Sequence, residues 1–267
     1  MTATNCKNCG ADISAPYCST CGQQQIERRF TLRAIFIELL NSITNIEKGF
    51  GKTCVDMVRR PGAVINKYLQ GATRDYFKPF RYAFIWATIS ALLMIYSGVF
   101  EEQQMTTVSW LGQREMSPEE LEVNQMIQEK IRSFMSFIML STVPFNAFGS
   151  FLLFRKFQYT RSEGTFRFNY AEHLVMNTFI TGTTTMIGIV FVFFYFLNTE
   201  YVIISTPISL LVSTLFSAYA FKQVFEISYL NSLWRTLVSV LLSLLMMLVF
   251  AVVFGILIGM FFFAIKQ

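Results

Sequence analysis

Leu237–Ile265 reads LVSVLLSLLMMLVFAVVFGILIGMFFFAI, nearly thirty residues without an ionisable side chain. Such a run is long enough to cross a hydrocarbon core of about 30 Å as a helix rising about 1.5 Å per residue. It overreaches that core, so it is expected to tilt or to extend past the interface. Four earlier segments share its character: about Tyr82–Phe100, Ser133–Phe154, His173–Leu197 and Tyr201–Phe221. Pro144 and Gly149 predict a kink in the second of them. Across the chain 53% of residues are hydrophobic and 15% charged, where an ordinary soluble domain would carry about 25% charged residues.

The loops between these segments alternate in charge. The chain is strongly basic before the first span. The stretch Glu101–Arg132 is acidic, Arg155, Lys156, Arg161 and Arg167 crowd the next loop, Asn198–Glu200 has no cation, and Lys222 and Arg235 follow the fourth span. Excess Lys and Arg marks cytoplasmic loops, so the pattern predicts a cytoplasmic N-terminus and a periplasmic C-terminus in a bacterial inner membrane. Met1–Gln25 is polar and cysteine-rich, unlike a secretory signal, so the first span is expected to serve as the insertion signal. Ser117-Pro118-Glu119-Glu120 has the composition of a helix start. It predicts a helix running continuously into the second span.

Residues 26–79 read as a basic interfacial region. Thr31 is an N-cap candidate, and Leu32, Ile35, Phe36, Leu39, Ile43, Ile46 and Phe50 recur at helical spacing, with Gly49 and Gly51 ending the stripe. A second helix is predicted over Pro61–Leu69, stopped by Gly71, and Pro79 marks entry to the first span. Lys and Arg outnumber Asp and Glu here. The helix therefore suits an anionic leaflet, and it equally suits packing on the protein's own membrane domain.

Residues 1–25 carry Cys6-Lys7-Asn8-Cys9-Gly10 and Cys18-Ser19-Thr20-Cys21-Gly22. Two CxxC knuckles at this spacing offer Cys6, Cys9, Cys18 and Cys21 as four thiolates for one tetrahedral Zn2+. Four cysteines leave no open coordination position, so the site is read as structural. The glycine after each knuckle allows the tight turn that frees backbone N–H groups for the sulfurs. A domain this short has little core, so metal binding would supply most of its folding energy. Thiolates kept for a metal belong in a reducing compartment, in agreement with the loop charges.

Other signals are weaker. Gly51-Lys52-Thr53 lacks the glycine and the preceding strand that a phosphate loop requires. His173 is the only histidine and stands with Glu172 at the mouth of the third span. A lone histidine makes no metal site, and the pair reads first as an interfacial helix start bonding backbone or a neighbouring loop. No span contains an ionisable residue in its apolar centre, which counts against ion coupling. Gly182 and Gly188 suggest close helix packing. Cys54 reads as a small apolar filler, and the many Met and Phe residues read as lipid-facing.

The chain resembles a family of bacterial membrane proteins classed as domain of unknown function 3667. The resemblance rests on the zinc knuckles, on Ile46-Glu47-Lys48-Gly49-Phe50 with Thr53, and on Arg60-Pro61-Gly62 with Ile65, Tyr68, Leu69 and Gly71. It continues through Arg74, Tyr76, Phe77, Lys78, Pro79 and Tyr82 and returns at Phe168-Asn169-Tyr170-Ala171-Glu172-His173-Leu174. Ala72-Thr73 stands where a basic residue would be expected. The resemblance implies an architecture and singles out Arg60, Arg74, Tyr76, Lys78, Glu172 and His173 as a candidate functional surface.

The reading is therefore an all-α integral membrane protein with about five transmembrane helices. Amphipathic interfacial helices (26–79) and a small N-terminal zinc ribbon (1–25) precede a membrane domain at 80–267. The expected function is a non-enzymatic adaptor whose ribbon recruits a cytoplasmic protein to the membrane, with anionic lipids as further partners. Nucleic acid is not expected, and homo-oligomers are compatible with the sequence. The alternative is a transporter or channel for a small or lipidic solute, lined by the polar third span.

Overall fold

The computed structural model describes residues 4–13, 16–23, 31–32, 49–98, 118–161, 164–195 and 202–265. Strands β1 (Thr4–Asn5) and β2 (Asp12–Ile13) pair antiparallel at the N-terminus. Two short helices follow, α1 (Phe50–Arg59) and α2 (Pro61–Leu69), then α3 (Pro79–Ser97). Next come α4 (Pro118–Ser133), α5 (Met135–Phe154), and an antiparallel hairpin of β3 (Gln158–Arg161) and β4 (Gly164–Arg167). The chain finishes with α6 (Tyr170–Tyr195), α7 (Val202–Phe225) and α8 (Tyr229–Ile265).

Five of these helices, α3, α5, α6, α7 and α8, are long and apolar enough to cross a membrane. Their outer faces expose Leu241, Leu245, Leu248, Val252 and Phe254 among others, as lipid-facing surfaces do. Helix α6 is the axis of the bundle, packing against α3, α5 and α7 and also meeting α1 and α2. Gly182 makes the α3 contact possible, since a Cβ there would lie 2.7 Å from a Tyr82 ring carbon. Gly188 has no such role, its nearest neighbour being Ser209 at 3.9 Å. Helix α8, at 37 residues, is about 55 Å long, and it starts eight residues earlier than the apolar run.

Several local expectations change. Gly51 does not end a helix but lies in the first turn of α1, which Gly49, at φ 118°, directly precedes. The amphipathic stripe between Thr31 and Phe50 falls outside the described residues over 33–48, as do Ser117 and the turn 198–200. Helix α4, described from Pro118 on, does not run on into α5. The chain breaks at Phe134 (φ −109°, ψ 11°), whose N–H is shared between Lys130 O and Ile131 O at 3.2 Å each. Helix α5 runs unbroken through Pro144. Gly149 serves contact with α8, where a Cβ would meet Ser239 O at 2.5 Å.

The main core lies at one end of the bundle, where α1 and α2 fold back onto α6 and α7. Met57, Ile65, Tyr68, Phe77, Tyr82, Phe179 and Phe221 are all buried there. Gly62 abuts Gln223, whose Oε1 accepts the Gly62 N–H at 3.1 Å, and Asn66 donates to Val224 O at 3.3 Å. Not all the phenylalanines face lipid. Phe154 stacks on Phe225 at 4.6 Å, and Phe168 meets Phe225 edge-on at 5.2 Å. The ribbon, the β3–β4 hairpin and the α7–α8 turn thus share one end of the bundle, the grouping that the loop charges implied.

Candidate functional site

Each cysteine knuckle folds on the same plan. In the first, Gly10 N–H bonds Cys6 O at 2.8 Å and Cys6 N–H bonds Ala11 O at 2.7 Å. In the second, Gly22 N–H bonds Cys18 O at 2.7 Å and Cys18 N–H bonds Gln23 O at 2.8 Å. Both glycines sit at positive φ, 78° and 68°, a conformation that glycine adopts freely. Turned this way, the knuckles bring Cys6 Sγ to 3.6 Å from Cys21 Sγ and Cys9 Sγ to 3.6 Å from Cys18 Sγ. All four sulfurs lie within 4.8 Å of one another.

These separations exceed a disulfide bond of about 2.05 Å. They approach the edge of about 3.8 Å that a tetrahedron with about 2.3 Å metal–sulfur bonds would have. The thiols titrate apart. Cys18 is drawn down to about 6, chiefly by the Cys21 amide, which outweighs burial, with help from the Thr20 amide. In Cys6, burial opposes ionisation, yet the Cys9 and Asn8 amides lower its thiol. Cys9 accepts the Ala11 amide, but burial and the three neighbouring sulfurs push its thiol up to about 12. Four like charges in so small a space cannot coexist without a cation among them. The four residues form a potential metal-binding site, and they fit a tetrathiolate ion.

The ribbon is held against the segment joining α2 to α3. Gln23, 2% exposed, donates from Nε2 to Gly71 O (2.9 Å) and Thr73 Oγ1 (3.2 Å) and accepts the Arg74 N–H at 2.8 Å. The Arg74 guanidinium donates back to Gly22 O at 2.9 Å. Asn8 donates to Asp75 at 3.0 Å, and Asp75 pairs with Lys52 of α1 at 3.3 Å. Burial would raise the Asp75 pKa, but the Asn8 amide and the Lys52 ammonium outweigh it and hold the carboxyl below its ordinary value.

Beneath this dock, Asp56 takes a fork of hydrogen bonds from Arg60 (3.0–3.2 Å) and one from Tyr76 Oη at 3.3 Å. Burial and the Asp56 carboxylate raise the Tyr76 phenol, keeping it a donor. Thr53 accepts the Phe77 N–H at 2.8 Å and donates to Gly49 O at 2.9 Å. These bonds tie the ribbon's dock to α1, and through α2 to α6 and α7.

The six residues of the candidate surface do not form one surface. Arg60 and Arg74 are exposed, Tyr76 is buried against Asp56, and Lys78 is half-buried at the start of α3. Glu172 and His173 are both fully buried. Glu172 forms a capping box with Asn169, taking its N–H at 2.8 Å and giving its own N–H to Asn169 Oδ1 at 2.9 Å. Its Oε1 also accepts Tyr159 Oη of the hairpin at 2.6 Å. His173 Nδ1 lies 3.0 Å from Ser150 Oγ of α5, which accepts Asn177 Nδ2 at 2.7 Å. Glu172 thus ties the start of α6 to the hairpin, and His173 faces α5. Sequence reasoning missed Gln23 and the hairpin. The only signal for Gln23 was its place directly after the second knuckle's glycine.

Five candidate spans, two short helices packed on their end and a docked four-cysteine ribbon define a helical multi-pass membrane protein with a metal-type cluster at one end. Residues 47–91 match the family model described as "Protein of unknown function (DUF3667)". That segment is α1, α2, the dock and most of α3. No curated protein and no solved structure matches the chain.

Proposed function

We propose that the protein is a non-enzymatic membrane adaptor, with a Zn2+-loaded ribbon that presents a fixed surface to a cytoplasmic protein partner. The observation that carries this reading is the Gln23–Arg74 clasp. A ribbon gripped at Gly22 and Gln23 is held in one orientation on the membrane domain, as a docking platform needs. Its outward face carries Tyr17, 59% exposed, and aromatic side chains of this kind anchor protein interfaces. In the same reading the ribbon end of the bundle is cytoplasmic. The exposed Val55 and Val58 of α1, beside Lys52 and Arg59, suit an anionic leaflet.

The test is crosslinking in native membranes, comparing the intact chain with Tyr17→Ala and Cys9→Ser variants at equal protein level. A partner captured by the intact chain and lost in both variants supports the adaptor. A partner set unchanged by either substitution sinks it.

A further inference from the structure

Between α5, α6, α7 and α8 lies a crevice of about 290 Å³. No ionisable residue lines it, and although most of its exposed wall is apolar, ten of its sixteen lining residues carry a hydroxyl or an amide. Some of these groups are satisfied within their own helices. Thr142, Thr214 and Ser217 donate to the Met139, Leu210 and Ser213 carbonyls. Others are not.

Asn177, 95% buried, sends its Nδ2 to Ser150 Oγ and His173 O, and among the described residues its Oδ1 accepts nothing. Ser239 is 4% exposed, and its hydroxyl has no partner among the described residues. The same holds for the Asn146 amide and the Thr181 and Ser213 hydroxyls on the same wall. In a bilayer such groups are costly unless something in the crevice bonds them. They offer both donors and acceptors but no charge.

At the rim stand Leu210 and Leu244, 64% and 57% exposed. The crevice therefore borders the lipid-facing outside of the bundle. A second cavity, of about 240 Å³, shares Thr184 and Ser213 with the first and adds Ser90, Thr185 and Ser209. It extends the uncharged polar wall along α6 and α7.

We propose that this crevice binds the uncharged, hydroxyl-bearing head of a bilayer amphiphile, whose apolar tail lies outside across Leu210 and Leu244. Asn146, Asn177, Thr181, Ser213 and Ser239 exchange hydrogen bonds with the head. A charged head is excluded because nothing in the wall would neutralise it. The site is independent of the ribbon's docking role.

The test is photolabelling of the full-length protein in vesicles with photoactivatable diacylglycerol, and in parallel with photoactivatable phosphatidylglycerol as the anionic counterpart. Diacylglycerol is expected to label the Leu210 and Leu244 peptides. Asn146→Leu and Ser213→Val should cut that labelling about tenfold, while Leu241→Ala on the open lipid face leaves it unchanged. Ser213→Ala removes the hydrogen bond without filling space and should weaken labelling about fivefold. Thermal unfolding in detergent reports that each variant is folded. Equal labelling by the anionic lipid, or labelling indifferent to Asn146 and Ser213, overturns the proposal. Labelling abolished by free glycerol overturns the lateral source of the ligand.

Discussion

Gln23 accepts the backbone N–H of Arg74 at 2.8 Å while its own amide donates to Gly71 at 2.9 Å. One buried side chain thus bridges two segments fifty residues apart, satisfying a donor and an acceptor that would otherwise be orphaned. Gln23→Leu keeps the volume and removes these bonds together with the one to Thr73. The expected cost is about 1–3 kcal/mol. It is to be read as roughly 5- to 150-fold faster hydrogen exchange at Arg74, with metal content unchanged.

The cysteine cluster should bind one divalent ion per chain, with Zn2+ the expected metal. Elemental analysis of the purified protein measures this. Cys18→Ser should abolish the binding. Chelation should speed exchange across residues 71–77 as well as in the ribbon, because the dock loses its partner when the knuckles unfold. Exchange confined to the ribbon would show that the dock stands alone.

Asp75 makes docking sensitive to acid. Its carboxyl is held below the usual range by Asn8 and Lys52 against the effect of burial. A group with a depressed folded pKa contributes stability that is present above its unfolded value, about 3.9, and is lost as pH falls through the folded one. The melting-temperature difference between the native chain and Asp75→Asn should therefore be full at pH 6 and close as the pH drops below about 3.9.

Helix α6 should tolerate a methyl group at one of its glycines and not at the other. Gly182→Ala drives a Cβ to 2.7 Å from the Tyr82 ring and 3.0 Å from Ala83 Cα. Such overpacking costs about 1–3 kcal/mol. Gly188→Ala meets only Ser209 at 3.9 Å and should be neutral or slightly stabilising. Thermal unfolding in detergent separates the two.

Glu172 and Tyr159 should behave as a coupled pair. Tyr159→Phe removes a 2.6 Å bond to a buried carboxylate, and Glu172→Gln leaves one neutral acceptor oxygen where two carboxylate oxygens take Tyr159 and Asn169; each should destabilise by about 1.5–3 kcal/mol. The double variant should cost clearly less than the sum. Additive losses would separate the hairpin from the helix start.

What could be read from the sequence depended on how local each signal was. The knuckles declare themselves because ligand spacing and the following glycine are fixed within five residues. The spans declare themselves by length and lack of charge. Pro61–Leu69 was legible residue for residue because proline opens it and the glycine stop lies close behind. The hairpin was not legible. Four-residue strands rich in Thr and Arg resemble any polar loop, and they are held in place by flanking Phe157 and Phe168 packing on distant Phe225. The positions of Glu172 and His173 were found, but their burial was not. An ionisable pair at a helix start looks interfacial until the hairpin that covers it is known. The same gap concealed the Phe154–Phe225 stack among residues that composition alone assigns to lipid.

Every residue of the clasp, from Cys6 to Tyr76, precedes Pro79 in the chain. The ribbon and its dock therefore leave the ribosome before the first apolar span does. Their mutual contacts need nothing that is synthesised later, whereas Gly62 must wait for Gln223. Translation itself thus sets an order of assembly, in which the metal can be captured and the N-terminal unit closed while the bilayer helices are still being made. A cell short of the metal would meet the fault at this step, ahead of insertion.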